Sequence, residues 1–194
     1  MDFVKIIEDN FSSSIQTKQQ TLTAGKEQIT AAGKLLLATL DMSKKVLICG
    51  NGGSAADAQH FATELVMRYE KERQSLSAIA LTTDTSLLTA VANDTEFANI
   101  FARQVEGLGQ TGDLLIGIST SGNSKNVVNA IETAQKKGLK VIALTGKDGG
   151  IIKEHLNTDD VEICIPSNNT ARVQEAHILI IHTLCNMADL KFTR

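Results

Sequence analysis

The sequence predicts a doubly wound α/β fold, a five-stranded parallel sheet flanked by helices, with a helical extension at the N-terminus. Three observations carry this expectation. Short apolar runs alternate with helical stretches from residue 44 onward. The runs carry apolar residues for both faces, as strands covered by helices on both sides require. Glycine- or serine-rich turns follow the first and third runs, at the edge where a doubly wound sheet binds ligands. A chain of 194 residues suits one fold of this size.

Taken in order, residues 1–42 read as a helical region that serves assembly, and 43–194 as the α/β domain. Phe3, Ile6, Ile7 and Phe11 recur at helical spacing, and a second pattern runs through Ile29, Ala32, Leu35, Leu36 and Leu40. Polar residues between them, including Thr17 to Gln20, leave each of these helices two-sided. Because they precede the first strand, these helices cover something other than a crossover, either a partner subunit or their own domain. Strands are expected at Lys45 to Cys49, Ala78 to Leu81, Leu114 to Ile118, Leu139 to Leu144 and Val161 to Ile165. Helices are expected from the first glycine loop to about Tyr69, at Leu87 to Ala92, Phe97 to Leu108, Lys125 to Lys137 and Thr170 to Leu190. Pro166 stops the last strand.

Apolar residues at 42% and charged residues at 21% exclude a disordered chain. A formal charge of −3 gives no reason to expect a nucleic-acid partner, yet leaves a local anion site open, since backbone amides hold phosphate without net positive charge. No stretch approaches the ~20 apolar residues of a membrane span. Cys49 and Cys164 lie in apolar runs, which fits buried thiols in a reducing compartment, and the expected location is cytoplasmic.

The loop Ser119-Thr120-Ser121-Gly122-Asn123-Ser124 stands between a buried strand and a helix start. Four hydroxyls there, added to exposed N–H groups and the helix dipole, suit a phosphate, with Gly122 allowing close approach. The plainer alternative is that Ser124 caps the helix and the rest is a turn. Asn51-Gly52-Gly53-Ser54 repeats the pattern after the first strand. It does not complete the G-x-G-x-x-G of a dinucleotide site, because Ala55 stands at the last position, and no Walker pattern is present. Sugar phosphate therefore ranks above nucleotide. Lys147 in the turn at 145–150 and the Asn93-Asp94 pair are weaker candidates for ligand contact.

His60 and Glu64 are four apart on a helix and share a face, a spacing that suits one divalent metal or a hydrogen-bonded base. The last helix adds Arg172, Gln174, Glu175, His177 and His182; His177 falls on the apolar stripe and reads as a packed core residue. Aldose–ketose isomerisation needs a base for the proton beside the carbonyl and an acid for the carbonyl oxygen. Glu64 is the candidate base and His182 the candidate acid, with a phosphate loop to anchor the far end of the sugar.

The segments CGNGGSAADAQHFATEL (49–65), AVANDTEF (90–97), GDLLIGISTSGNS (112–124), VIALTGKDGG (141–150) and ARVQEAHILIIH (171–182) together resemble the sugar isomerase (SIS) domain family, and within it the phosphoheptose isomerases. The resemblance implies interconversion of sedoheptulose 7-phosphate and D-glycero-D-manno-heptose 7-phosphate, in supply of lipopolysaccharide and related glycans, by a homotetramer. It implies a Zn2+ site at His60, Glu64, Gln174 and His182, with Glu64 as base and His182 as acid. It also implies sugar or phosphate contacts at Asn51, Gly52, Gly53, Glu64, Asn93, Asp94, Ser119, Thr120, Ser121, Ser124 and Gln174, with Arg68 and Arg172 as further charged candidates. Ala171 stands where many such enzymes have an acidic residue, and Ala55 where some have histidine. These departures bring the chain nearer to a related non-enzymatic tetramer that binds the bacterial replication initiator; retention of His182 with Glu64 favours the enzyme.

Overall fold

The computed structural model describes residues 1–193. Its centre is a five-stranded, wholly parallel sheet in the order β2-β1-β3-β4-β5, made of β1 (Val46–Gly50), β2 (Ala78–Ala80), β3 (Leu114–Ser119), β4 (Lys140–Gly146) and β5 (Val161–Ile165). β1 and β3 lie side by side in register, Gly50 opposite Ile118. From β1 the chain steps outward to β2, then returns across β1 to β3 and continues the other way. That reversal makes the crevice at the C-terminal ends of β1 and β3 the topological switch point, where ligands bind in open α/β sheets.

Alternate residues of each strand feed two cores. Val46 and Ile48 face α1 (Phe3–Asp41), α2 (Gly53–Val66) and α7 (Thr170–Phe192). Leu47 and Cys49 face the opposite layer, which contains α4 (Ala102–Leu108), α5 (Lys125–Lys136) and α6 (Gly150–His155), with α3 (Thr85–Asp94) at its margin. Since α2 leaves β1 toward one face and α5 leaves β3 toward the other, the two glycine loops part at the switch point.

The N-terminal region is one continuous 39-residue helix, not two, about 58 Å long at 1.5 Å per residue. The polar stretch between the two apolar patterns does not break it. Thr17 and Thr21 turn their hydroxyls back onto the carbonyls of Ser13 and Thr17 at 2.9 and 2.8 Å, so they stay within the helix instead of ending it. The second half of α1 is core: Ala32 and Leu36 are fully buried, and Gly33 leaves room for the Met187 sulfur of α7. The first half presents Phe3, Ile7 and Phe11 to solvent.

Three other expectations change in detail. The helical run 97–108 is a 3-10 turn at Phe97–Asn99 followed by α4, because Ile100 and Phe101 must turn into the core. α2 stops at Val66 and not Tyr69, since the backbone N–H groups of Glu70 and Lys71 are taken by Asp189. The turn after β4 continues into α6, a six-residue helix too short to show a pattern in sequence. Cys49 and Cys185 are buried, whereas Cys164 on the edge strand β5 is only partly covered. Among the described residues no helix is long and apolar enough to cross a membrane.

Candidate active site

The β3–α5 loop is built as a hydroxyl-lined turn. The N–H of Gly122 donates to the Ser119 carbonyl at 3.0 Å, and the Ser119 and Ser124 hydroxyls lie 2.9 Å apart. Ser124 occupies the N-cap position of α5, but its side chain caps nothing. Gly52, the N-cap of α2, likewise brings no side-chain cap, whereas α1, α3 and α7 start on Asp2, Asp84 and Asn169, each accepting an amide hydrogen bond. The two helices that begin at the switch point thus keep their positive ends free of a side-chain oxygen, the arrangement an anion requires. Ser124 therefore does not act as the side-chain N-cap of the plainer alternative.

Asn51 and Asn126 exchange amide hydrogen bonds at 2.9 and 2.8 Å, tying the β1 loop to the first turn of α5. Gly122, at φ +69°, packs against the Gly149 carbonyl, where a Cβ has no room. Asn123 accepts the Ile151 amide at 3.0 Å. The turn at 145–150 therefore buttresses the hydroxyl loop from behind, and Lys147 within it is exposed.

α2 and α7 form the other wall. His60 Nε2 lies 3.1 Å from Glu64 Oε1 and 3.2 Å from His182 Nε2. The Tyr69 ring stacks on His182, with centroids 5.3 Å apart. Gln174, two turns before His182, lays its amide over Gly53, where a Cβ would come within 2.5 Å of Nε2; the missing side chain at Gly53 is what admits it. Glu64, His60, His182 and Gln174 thus lie along one wall that reaches from α7 to the β1 loop.

Could this wall hold a divalent cation? Two imidazole nitrogens and a carboxylate oxygen are of the right chemistry for Zn2+, and an amide oxygen adds a fourth donor. A tetrahedral ion with bonds of about 2.1 Å separates its donors by about 3.4 Å, close to the two spacings around His60. Among the described residues no three His, Cys, Asp or Glu side chains already close into a ligand set, so the donors fit the ion in kind, His60 also in its spacing from Glu64 and His182, and the set would have to draw inward around it.

Asn93 and Asp94 stand apart from both walls. They are exposed at the end of α3, Asn93 donating to Asp94 at 2.8 Å, and Asp94 lines a cleft of about 740 Å³ between α3, α4 and α5. Arg68 is paired with Glu72. Arg172 is buried and spans two helices, donating to the Asn10 carbonyl at 2.5 Å and pairing with Glu175 at 2.7 Å. His177 is core, as its place on the apolar stripe implies: it is fully buried, and its Nε2 lies 2.9 Å from the Thr145 carbonyl.

The SIS domain family matches residues 10–146 of this chain. Phosphoheptose isomerase of Coxiella burnetii is 50% identical over 191 residues, which cover 98% of this chain and 96% of that protein. The chain belongs to the phosphoheptose isomerases of the SIS domain family. Solved phosphoheptose isomerases share the whole architecture. That of Neisseria gonorrhoeae matches with a TM-score of 0.92 at 47% identity, covering 97% of this chain and 100% of its own. That of Francisella tularensis matches at 0.95 and 46%, covering 98% and 100%.

Within this phosphoheptose isomerase framework the structure adds two residues to the candidate wall of α2 and α7 that sequence reasoning passed over. Tyr69 carried no signal, being the single tyrosine in a polar stretch. Asp57 carried one: it precedes His60 by three and Glu64 by seven, so the three share a helix face. Its Oδ2 is buried with no hydrogen-bond partner. Burial pushes the Asp57 carboxyl above the usual carboxylate range, against the opposing charges of His60 and His182.

Proposed function

We propose that this chain interconverts sedoheptulose 7-phosphate and D-glycero-D-manno-heptose 7-phosphate through an enediol. The observation that carries the reading is the meeting of Glu64, His60 and His182 from two helices, beside a hydroxyl loop at an uncapped helix start. Phosphate seats on the Ser119, Thr120, Ser121 and Ser124 loop, which fixes the distal end of the sugar and turns binding energy into placement of C1 and C2. Asn51, Gly52 and Gly53 lie along the sugar, with Gln174 over them; Asn93 and Asp94 reach it only if α3 moves inward or another subunit supplies them.

Glu64 takes the proton from the carbon bearing the hydroxyl and returns it to the neighbouring carbon, while His182 gives a proton to the carbonyl oxygen and recovers one from the hydroxyl. Tyr69, stacked on His182, limits how that ring turns. His60, Glu64, Gln174 and His182 would hold Zn2+, which when bound supplies Lewis-acid charge favouring negative charge on the substrate oxygens.

The exposed apolar half of α1 supports a homotetramer in which residues 1–42 serve assembly and 43–194 form the isomerase domain. The proposed setting is the cytoplasm, in the supply of heptose for lipopolysaccharide. Time-resolved NMR of the metal-defined protein with sedoheptulose 7-phosphate tests the reaction. Conversion lost in folded Glu64→Gln and His182→Ala supports it; no conversion by the unaltered protein across zinc concentrations and pH turns the reading toward a tetramer that binds the replication initiator.

A further inference from the structure

Arg73 ends the run Glu70-Lys71-Glu72, which reads in sequence as solvated surface. In the fold its side chain is fully buried, and that of Asp189 beside it is 2% exposed. Every nitrogen of the guanidinium is used. Nε donates to Asp189 Oδ1 at 2.8 Å, Nη1 to the carbonyls of Leu65 and Gln74 at 2.9 Å each, and Nη2 to the carbonyl of Glu64 at 2.6 Å. Asp189 Oδ2 accepts the backbone N–H groups of Glu70 and Lys71 at 2.7 and 2.8 Å. Burial acts to raise the Asp189 carboxyl, but these two amides and Arg73 outweigh it and hold the group below the usual carboxylate range.

Three things meet at this pair. The last turn of α2, which carries Glu64, hangs its carbonyls on Arg73. The loop that carries Tyr69 is fastened by Asp189 at the very next residue. Asp189 itself stands on α7 seven positions after His182, about two turns along the same face. Stability alone gives little reason for such a pair, because a buried ion pair replaced by well-packed apolar side chains often costs nothing. What apolar packing lacks is the rigid, directional fork of a guanidinium, which sets carbonyls and a carboxylate at fixed positions.

We propose that the buried Arg73–Asp189 pair is a positioning device for the isomerisation, locking the Glu64 turn of α2 and the Tyr69 loop to α7 so that base and acid meet the sugar in one register. This rests on the reading of Glu64 as base and His182 as acid. Neither Arg73 nor Asp189 touches the substrate; each acts through the backbone it holds.

The test compares the unaltered protein with Arg73→Lys, which keeps the charge and loses the fork, and Asp189→Asn, which keeps the shape and loses the charge. The same Arg73→Lys change is also placed in Glu64→Gln. Turnover of sedoheptulose 7-phosphate is followed by NMR on protein shown by calorimetry to be folded at the assay temperature, and binding to Glu64→Gln proteins by titration calorimetry. Expected are a fall in kcat of about 10- to 100-fold with KM within about threefold, and unchanged binding of the sugar phosphate. In the Glu64→Gln background, Arg73→Lys should lower the residual turnover several-fold less than in the unaltered protein, since only the acid is left to misplace. An unchanged kcat in folded Arg73→Lys or Asp189→Asn overturns the proposal, and so does an equal loss in both backgrounds. If Arg73→Lys does not fold, Asp189→Asn decides by the same criteria in both backgrounds. Absence of turnover by the unaltered protein overturns the proposed reaction and this role with it, whereas a turning-over enzyme indifferent to the pair overturns this role alone.

Discussion

The two walls of the site are held together over very different distances. Around Ser119 to Ser124 the contacts are local or one strand away: Ser119 meets Ser124 five residues on, and Gly122 rests on Gly149 of the next strand's turn. The opposite wall joins residues 122 positions apart, His60 and His182, and nothing local keeps them in contact. Their meeting depends on α2 and α7 packing side by side in one core. A loop wired to itself holds an anion whatever the far helices do, whereas proton transfer tolerates little error in the long-range packing. Binding and chemistry should therefore come apart under mutation.

Glu64→Gln breaks the distant wall hardest. It should lower kcat by about 10³-fold, within the usual worth of a positioned base, while sugar-phosphate affinity stays within a few fold by titration calorimetry; a matching loss of affinity would erase the distinction between the walls. Next comes acid. Burial pushes His177 down to about 4 from an ordinary value near 6.5. The unfolded chain therefore binds the extra proton first as pH falls below about 6.5, and stability drops until about pH 4, by roughly 3 kcal/mol in all. Because His177 ties α7 to the Thr145 carbonyl, turnover should fail with this loss. His177→Gln should flatten the dependence of Tm on pH over that window.

Gly122→Ala attacks the local wall. Its φ of +69° and the Gly149 carbonyl leave no place for a methyl group, so about 1–3 kcal/mol of strain is expected. The change should appear as a raised KM with kcat largely kept in the folded fraction. The smallest effect is that of Ser124→Ala, which removes one hydroxyl from the loop and should cost about 1 kcal/mol of phosphate affinity, with a small fall in Tm from the lost Ser119 contact. A larger fall in kcat than in affinity would place Ser124 with the chemistry instead.

Sequence served the two walls unequally for the same reason. The hydroxyl loop is contiguous, so its composition between a buried strand and a helix start could be read directly. His60 and Glu64 were readable as a pair because a helix brings i and i+4 together. His182 was a candidate from the demands of isomerisation, but its convergence on them was not readable from spacing, since no spacing rule relates two helices more than a hundred residues apart. The sheet was legible because each strand is a short, mostly apolar run. The single long α1 was not, because Thr17 and Thr21 are polar by composition yet satisfied within the helix. Arg73 and Asp189 were hidden in ordinary charged stretches, and only their burial against helix-end carbonyls distinguishes them.

The cysteines set how the molecule meets oxidants. Burial pushes the Cys49 thiol up to about 12 and the Cys185 thiol well above its ordinary value. Both therefore keep their protons at neutral pH and offer little thiolate, the form that peroxides and alkylating reagents attack. Cys164 is raised too, but it lies on the edge strand, part-open to solvent. Damage by such reagents should therefore begin at Cys164, on the margin of the sheet, and leave the wall of His60, Glu64 and His182 intact until the fold itself opens.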